Sequence, residues 1–170
     1  MMKIREHTKE DIPLRVKWLN NPKVNKLIGD EPGKETDLQK QKDWFDNYEK
    51  DENKKFFTIC DNELPIGIVG LSNISENNKN ADLFIAIGED EYRGKGFGKE
   101  SMKWILNFAF EELKLNKVNL GVFEENESAV MLYKNIGFEI EGIMKEEVYF
   151  DGKFHNFLSM AIFKRNRNKN

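Results

Sequence analysis

The stretch EDEYRGKGFGKE, residues 89–100, separates a short apolar segment from a long amphipathic one. Its glycines stand at every second position: Gly94, Gly96 and Gly98. Three cations lie among and beside them: Arg93, Lys95 and Lys99. Glycines let the backbone approach a ligand closely, and the first N–H groups of the helix that follows have no partner inside it. Since a helix N-terminus also favours negative charge, the stretch predicts an anion site, best suited to a phosphate.

Three phosphate-binding motifs can be compared with this loop. The dinucleotide fingerprint G-x-G-x-x-G fails because residue 99 is lysine where the third glycine would stand, and the P-loop fails because no GK[ST] occurs. The pattern that remains is R-x-x-G-x-G, formed by Arg93, Gly96 and Gly98. On the loop alone, a tight structural connection without a ligand stays open as an alternative.

Working outward from the loop, the chain predicts the element order β-α-α-β-β-β-α-β-α-β-β. ADLFIAIG (81–88) is the fourth strand, and KESMKWILNFAFEELKL (99–115) has apolar residues at helical spacing. The strand KVNLGVFEEN (117–126) follows, so strand, loop, helix and strand form a parallel crossover between antiparallel pairs. We therefore expect a mixed α/β domain over residues 1–165, with residues 166–170 as a polar, frayed tail.

Local signals mark several boundaries. Thr8 with Asp11, and Thr36 with Gln39, resemble capping boxes at the starts of two helices. A short helix runs from an N-cap near Asn126 to a C-terminal glycine at 137. Asp151-Gly152 predicts a tight hairpin turn between the last two strands.

Composition narrows the class of protein. The net charge of −3 argues against a nucleic-acid partner, and no run approaches the roughly 18 apolar residues that a membrane span needs. The N-terminus lacks the apolar stretch of a secretory signal, so we expect a cytoplasmic protein without a membrane partner. The single cysteine, Cys60, lies among apolar residues and is expected to be buried and inert. With two histidines, no metal site is expected.

The loop and three other segments together resemble the GCN5-related N-acetyltransferases, which bind acetyl-coenzyme A. YRGKGFGKE (92–100) is similar to the family's pyrophosphate-binding motif, and VFEENESAVMLYKNIGFEIEG (122–142) to its second conserved segment. EEVYFDGKFHNFLSMAI (146–162) and WLNNPKVNKL (18–27) resemble the ribosomal-protein-alanine and spermidine acetyltransferase branches. The resemblance covers nearly the whole chain. It implies the family fold: a central, mostly antiparallel mixed sheet whose fourth and fifth strands splay apart, flanked by helices.

The resemblance also implies a cofactor site. Backbone N–H groups of residues 94–99 are expected to hold the pyrophosphate of acetyl-CoA, and the end of the fourth strand to pair with the pantetheine arm. Asn126 is expected to contact coenzyme A, to cap its helix, or both. The expected cofactor residues are therefore Ala86, Ile87, Gly88, Arg93, Gly94, Lys95, Gly96, Phe97, Gly98, Lys99 and Asn126.

For catalysis, the resemblance points to Tyr133 as the acid that protonates the departing thiolate. The alternative is an aromatic residue on a core face with a locally bonded hydroxyl. Asp82 matches a position where related acetyltransferases carry Glu, and is the first candidate for the base; Glu89 is the second. For both, a solvated carboxylate is the simpler interpretation. His155 is expected to be structural.

The acceptor is the least determined part. Acidic pairs at Asp30-Glu31, Glu124-Glu125 and Glu146-Glu147 favour a small cationic, polyamine-like amine, although such clusters are usually solvated. A protein N-terminus and an amino sugar stay open as acceptors, as does a coenzyme A sensor without transfer activity. A homodimer is expected at the level of the family.

Overall fold

The computed structural model describes residues 1–28 and 32–169. Seven strands carry the fold: β1 (Met2–Glu6), β2 (Lys55–Asp61), β3 (Leu64–Ser75), β4 (Asn80–Ile87), β5 (Lys117–Phe123), β6 (Glu139–Phe150) and β7 (Lys153–Phe163). Five α-helices accompany them: α1 (Ile12–Asn20), α2 (Pro22–Asn25), α3 (Leu38–Tyr48), α4 (Phe97–Asn107) and α5 (Glu127–Ile136). The predicted order of the strands is confirmed, but three α-helices, and not the predicted two, lie between β1 and β2. A π-helical turn, Phe108–Glu112, extends α4.

All seven strands form one sheet in the order β1-β2-β3-β4-β5-β7-β6. Every neighbouring pair is antiparallel except β4 and β5, which are parallel, as the crossover predicts. The parallel pairing covers only three positions, from Asn80 opposite Lys117 to Asp82 opposite Asn119. Beyond them β4 continues to Ile87 and β5 to Phe123 without pairing with each other, so the two strands splay apart. The expected opening in the sheet is confirmed.

Helix α4 covers one face of the sheet. Met102, Ile105 and Leu106 are buried, and Ala109 and Phe110 continue the same apolar stripe into the π-helical turn. They pack against residues of β2–β5 such as Ile59, Ile66 and Val118. Burying side chains of this size contributes about 1.5–3 kcal/mol each, which fixes the helix and the loop that precedes it.

Helices α1–α3 cover the opposite face. Trp18 is fully buried and packs with Val24, Phe56, Ile68 and Ala86. Strand alternation explains the division, because Ala86 faces α1 and α2 while its neighbours Ile85 and Ile87 face the α4 side. Strand β4 therefore lies between both helical layers just where it separates from β5.

The local boundary signals hold with one change. Asp11 accepts from the Thr8 N–H at 2.9 Å, which confirms the first capping box, although the first turn is a 3₁₀ helix, Lys9–Asp11. The second N-cap is Asp37, which accepts from the Lys40 N–H at 2.8 Å. The expectation for Thr36 is therefore wrong by one residue. Asp151 and Gly152 both adopt positive φ, at 52° and 78°, as a tight hairpin turn requires.

The C-terminal residues are more ordered than expected. Lys164–Lys169 form a 3₁₀ helix, and Arg167 Nη2 donates to Asn107 Oδ1 at 2.7 Å. Asn166 Nδ2 donates to Glu139 Oε1 at 3.1 Å. The polar sequence predicted a frayed end because these partners, distant in the chain, leave no local signal. Cys60 is buried as expected, and burial raises the pKa of its thiol. Among the residues described here, no helix is long and apolar enough to cross a membrane.

Candidate active site

A cleft of about 570 Å³ opens where β4 extends past its pairing with β5. Its walls are the end of β4, the loop before α4, the segment 23–28 and the first two turns of α5. The lining residues are Lys23, Val24, Leu27, Ile28, Ile85, Ala86, Ile87, Tyr92, Arg93, Gly94, Gly96, Gly98, Lys99, Asn126, Ser128, Ala129, Leu132 and Tyr133. The splayed sheet thus brings the glycine loop and the α5 tyrosine to one cavity.

The glycine loop presents unpaired backbone donors to this cleft. Gly94 and Gly96 adopt φ of 72° and 90°, a left-handed conformation that favours glycine. The first bonded amide of the helix is that of Glu100, which donates to the Gly96 carbonyl at 3.0 Å. Among the described residues, the N–H groups of residues 94–99 have no protein acceptor. Six free donors at a helix N-terminus fit a diphosphate.

Gly98 needs a different explanation from Gly94 and Gly96. Its φ is not positive, and a Cβ added there would meet only Ile87 Cγ1, at an ordinary 3.9 Å. Neither conformation nor packing within the chain therefore requires glycine at this position. Because Gly98 lines the cleft, its missing side chain leaves room for a ligand above the helix N-terminus.

The end of β4 offers backbone groups at alternate residues. The Gly88 N–H donates to the Ile66 carbonyl of β3 at 2.9 Å. Peptide groups alternate in direction along an antiparallel pair. The backbone groups of Ala86 therefore also bond toward β3, and those of Ile85 and Ile87 are directed to the opening. The prediction that Ala86, Ile87 and Gly88 share one role therefore needs correction. Ala86 contributes its side chain to the wall. The free strand edge consists of the backbone groups of Ile85 and the N–H of Ile87, whose carbonyl accepts from Arg93 Nε.

Gly88 has no free backbone group for a ligand. Besides its bonded N–H, its carbonyl accepts from Asn21 Nδ2 at 3.1 Å and Arg93 Nη2 at 3.3 Å. A Cβ at this position would lie 2.0 Å from Trp18 Cγ. Gly88 is thus a packing residue beneath Trp18, and it does not line the cleft.

Arg93 also acts differently from its predicted role. Its Nε donates to the Ile87 carbonyl at 3.0 Å, and Nη1 lies 2.7 Å from Asp90 Oδ1. Nε and Nη2 of the guanidinium are directed to the end of β4, while Nη1 meets Asp90 as an ion pair without a hydrogen bond. Arg93 lines the cleft, and its side chain holds the loop against the strand.

The other predicted cofactor residues of the loop, Lys99, Lys95 and Phe97, also differ in whether they line the cleft. Lys99 lines the cleft and places a cation beside the free amides. Lys95 lies 5.6 Å from the Tyr92 ring centroid, and Phe97 packs edge-to-face on the same ring at 5.4 Å. Lys95 and Phe97 are not among the residues that line the cleft.

Tyr133 projects from α5 into the cleft at the opposite wall. Burial raises the pKa of its hydroxyl, which keeps the group protonated over the physiological range. Its ring packs on Phe138, with the centroids 6.0 Å apart. In the parts of the chain described here, the hydroxyl has no hydrogen-bond partner, so the alternative of a locally bonded core tyrosine does not fit. Asn126 lines the same cavity and caps α5, accepting from the Ala129 N–H at 3.4 Å.

Neither predicted base lies at the cleft. Asp82 accepts from Asn73 Nδ2 at 2.8 Å and from Asn119 Nδ2 at 3.3 Å. It precedes Ala86 by four residues, about 13 Å along an extended strand. Glu89 accepts from Lys17 Nζ at 2.7 Å and Trp18 Nε1 at 2.8 Å, and the hydrogen bond from Lys17 lowers its pKa. Both carboxylates are occupied within the fold, which argues against the role expected of them.

His155 and those acidic pairs of the sequence that the structure describes do not line the cleft, and some of them are hydrogen-bonded within the fold. His155 Nε2 lies 2.9 Å from the Phe150 carbonyl, and Nδ1 contacts Glu125, in agreement with a structural role. Glu124 accepts from Asn156 Nδ2 at 2.8 Å, so the Glu124-Glu125 pair stabilises the hairpin. Glu146 and Glu147 are exposed on β6. Asp30 and Glu31 lie outside the described residues.

Sequence reasoning missed several wall residues. Val24, Leu27 and Ile28 contribute apolar surface from the N-terminal side, and Ala129 and Leu132 from α5. The spacing of Ala129, Leu132 and Tyr133 on one helix face could have indicated the α5 wall. Residues 24–28 carried no such signal, because their contact with the loop depends on the packing of Trp18 over Gly88.

Comparisons with known proteins agree with this geometry. Residues 2–139 match the family model described as an acetyltransferase (GNAT) domain. Spermidine N(1)-acetyltransferase of Escherichia coli K12 is 31% identical over 95% of this chain and 86% of its own. A crystal structure of spermidine N-acetyltransferase from Vibrio cholerae in complex with CoA and spermine superposes with a TM-score of 0.91 at 26% identity, covering 98% of this chain and 97% of that one.

A third relative represents a different acceptor. The putative ribosomal N-acetyltransferase YdaF of Bacillus subtilis is 30% identical over 58% of this chain and 54% of its own. The splayed sheet, the free amides of the loop and the family match agree with one another. The chain belongs to the GNAT family of acetyltransferases, whose cosubstrate is acetyl-CoA.

Proposed function

We propose that this protein transfers the acetyl group of acetyl-CoA to a primary amine of a small polyamine. The observation that carries the proposal is the shared cleft: Tyr133 lines one wall, and the opposite wall contains four loop residues with free amides, Gly94, Gly96, Gly98 and Lys99. Such a cavity can hold the diphosphate at one end and leave the thioester within reach of an acid at the other.

The binding steps follow from the groups that the chain leaves free. The amides of residues 94–99 bind the diphosphate, with Lys99 beside them. The backbone N–H and carbonyl of Ile85, on the free edge of β4, bond the amide-containing pantetheine arm as an added strand would. The Ile87 N–H, at the end of that edge, donates to the thioester carbonyl oxygen and stabilises the negative charge that develops there.

The chemical step needs one proton donor and one proton acceptor. The amine nitrogen attacks the carbonyl carbon, the carbon–sulfur bond breaks, and Tyr133 donates its proton to the departing sulfur. Its phenol has a raised pKa and is therefore protonated before each turnover. Because Asp82 and Glu89 are both held elsewhere, we propose that the ammonium of the acceptor loses one proton to water in the cleft before attack. The acylated nitrogen releases its second proton to water as the amide forms, and the tyrosinate is reprotonated from solvent.

The acceptor class is supported by two kinds of observation. Two relatives that match 95% of this chain are named for spermidine, and one solved relative contains spermine. The net charge of −3 also favours a cationic acceptor over an anionic one. A protein N-terminus is the second candidate, favoured by the ribosomal relative over a shorter part of the chain.

The experiment is an acceptor panel. Thiol release from acetyl-CoA is followed with spermidine, spermine, an alanine-initiated peptide and glucosamine at equal concentrations. We expect saturable turnover with the polyamines and slower turnover with the peptide and the sugar. Faster turnover of the peptide would select the N-terminal acceptor, and tight coenzyme A binding without turnover of any amine would select a sensor. Homodimer formation and a cytoplasmic location stay predictions.

A further inference from the structure

The turn between β4 and the glycine loop carries a carboxylate that the reaction does not use. Asp90 Oδ2 accepts from Lys23 Nζ at 2.7 Å, and Oδ1 accepts from Asn21 Nδ2 at 2.7 Å. Arg93 Nη1 lies 2.7 Å from the same Oδ1. Two hydrogen bonds from the α1–α2 segment and an ion pair from the loop thus converge on one carboxylate.

The two cations that meet Asp90, Lys23 and Arg93, belong to opposite walls of the cleft. Lys23 lines it on the α2 side, followed by Val24, while Arg93 lines it on the loop side, followed by Gly94. Asp90 itself is not among the lining residues. The carboxylate therefore lies behind the cavity and joins the wall that carries α2 to the loop that carries the free amides.

We propose that Asp90 is a positioning residue for acetyl transfer, because its carboxylate fixes the distance between the α2 wall and the cofactor loop. The neighbouring contacts support this assignment. Glu89 ties Lys17 and Trp18 of α1 to the same turn, and Asn21 also bonds the Gly88 carbonyl. The turn is fixed to α1 from behind, and Asp90 extends that attachment to α2 and to Arg93.

The effect should appear in binding and not in folding stability. The side chains of Lys23 and Asp90 are 68% and 48% exposed, and exposed ion pairs of this kind contribute only about 0–1 kcal/mol to stability. By contrast, small displacements of groups that orient a ligand have large effects on affinity and rate. Hydrogen bonds to the carboxylate lower the pKa of Asp90 to about 2, those from Lys23 and Asn21 first, so the carboxylate stays ionised at every working pH.

The sign of one substitution separates positioning from charge. Asp90→Asn removes a negative charge near the site of an anionic diphosphate, so Coulombic effects alone would tighten coenzyme A binding. Loss of positioning instead loosens the loop and weakens binding. The two explanations therefore predict opposite changes in the same dissociation constant.

The experiment is calorimetric titration of coenzyme A into the wild type, Asp90→Asn and Asp46→Asn. Asp46 is a matched control, since it forms an ion pair with Lys9 of similar exposure, 56% and 50%, outside the residues that line the cleft. We expect Asp90→Asn to raise the Kd about tenfold, as loss of a charge-assisted network would, with Asp46→Asn unchanged. In steady-state assays the KM for acetyl-CoA should rise while kcat changes little. An equal or lower Kd for Asp90→Asn would overturn the proposal.

A second variant tests the connection itself. Lys23→Met keeps the apolar stem of the side chain and removes its ammonium. If Asp90 acts through Lys23, the effects on Kd should be less than additive when Lys23→Met and Asp90→Asn are combined. Full additivity would overturn the connection between the two walls. Should Asp90→Asn fail to fold, an unchanged Kd in Lys23→Met alone would do the same.

The cofactor measurements rest only on family membership, whereas the acceptor rests on the proposed function. Wild-type turnover with spermidine tests the proposed function, and the ratio of variant to wild-type Kd tests the role of Asp90. A wild type that binds coenzyme A but acetylates no polyamine would therefore reject the first and leave the second intact.

Discussion

The turn Gly88–Asp90 and the loop Gly94–Lys99 are separated by three residues, yet their backbones are used in opposite ways. In the turn, the N–H and carbonyl of Gly88 are bonded within the protein. The carboxylate of Glu89 accepts from α1, and that of Asp90 accepts from α2. In the loop, residues 94–99 offer N–H groups without protein acceptors among the described residues. The turn is fixed within the fold, whereas the loop leaves its donors available to a ligand.

The two glycines at the ends of this segment show the same contrast. Gly88 is glycine because Trp18 occupies the space of its Cβ, at 2.0 Å from Cγ. Gly98 has ample space around its Cβ position and an ordinary backbone conformation. A glycine that the fold does not need indicates a ligand, whereas a glycine that the fold needs does not. The predictions below test this difference, in decreasing order of effect.

A buried cluster of polar side chains beside β1 is also hydrogen-bonded within the fold, like the turn Gly88–Asp90. His7 Nδ1 lies 2.8 Å from Thr58 Oγ1, which donates to Asp11 Oδ2 at 3.0 Å. Burial lowers the pKa of His7 to about 4, with the charge of Arg15 acting in the same direction. The unfolded chain binds this proton near pH 6.5, so acid favours unfolding between pH 6.5 and pH 4. We expect a loss of about 3 kcal/mol in the free energy of unfolding over this range.

Urea unfolding at a series of pH values measures this effect. His7→Gln should remove most of the dependence between pH 6.5 and pH 4. Asp11 affects stability at lower pH than His7. Burial raises the pKa of its carboxyl, but hydrogen bonds from Arg5, Thr8 and Thr58 outweigh burial and lower the pKa to about 2. Its contribution is present above the ordinary pKa near 3.8 and is lost as the pH falls through 2. Equal pH slopes in the wild type and His7→Gln would contradict the assignment.

On the open side, Tyr133→Phe should reduce kcat about a hundredfold, because general acids of this kind contribute 10²–10⁴ to the rate. The ring remains to line the cleft, so the Kd for coenzyme A should be unchanged. Thiol release measures the first quantity and calorimetry the second. Tyr149→Phe is the control, since Tyr149 is 65% exposed on β6. Full activity in Tyr133→Phe would exclude this proton donor.

At the packed end, Gly88→Ala should lower the free energy of unfolding by about 2 kcal/mol, because a methyl group cannot share the space of Trp18. Thermal or urea unfolding measures the change. Gly142→Ala is the control, because a Cβ at Gly142 meets no atom within 4 Å. Stability equal to that of the control would mean that Trp18 does not pack on the β4 end in solution.

At the open end, Gly98→Leu should leave stability near that of the wild type, because leucine is a better helix former than glycine and the position is uncrowded. Its side chain enters the cleft, so the Kd for coenzyme A should rise at least about tenfold, the 1.4 kcal/mol of one lost favourable contact. Gly142→Leu should change neither quantity. Unaltered coenzyme A affinity in Gly98→Leu would remove the contrast between the two glycines.

Much of the fold could be predicted from sequence because its signals are local. The apolar run in 81–88, the helical spacing after residue 99 and the Asp151-Gly152 turn each depend on a few adjacent residues. The splay of β4 and β5 came from the family resemblance, and the three-position pairing confirms it. The free amides were predicted correctly because the loop is built by its own glycines and by the start of α4.

The roles that could not be predicted depend on distant partners. Gly88 is determined by Trp18, seventy residues earlier in the chain, and the side chain of Arg93 by the carbonyls of β4 and by Asp90. Asp82 and Glu89 are plausible bases from their positions on the strand alone. Their partners Asn119 and Lys17 are visible only in the folded chain. The sequence does not show which groups are hydrogen-bonded within the fold. Only these distant partners distinguish groups held by the fold from groups that are free to bind a ligand.

A crystal structure with acetyl-CoA bound tests the central claim most directly. We predict that the diphosphate oxygens lie within about 3 Å of several amide nitrogens between residues 94 and 99, with the turn Gly88–Asp90 unchanged. Diphosphate bound by side chains elsewhere, with these six amides facing only solvent, would contradict the assignment of the loop.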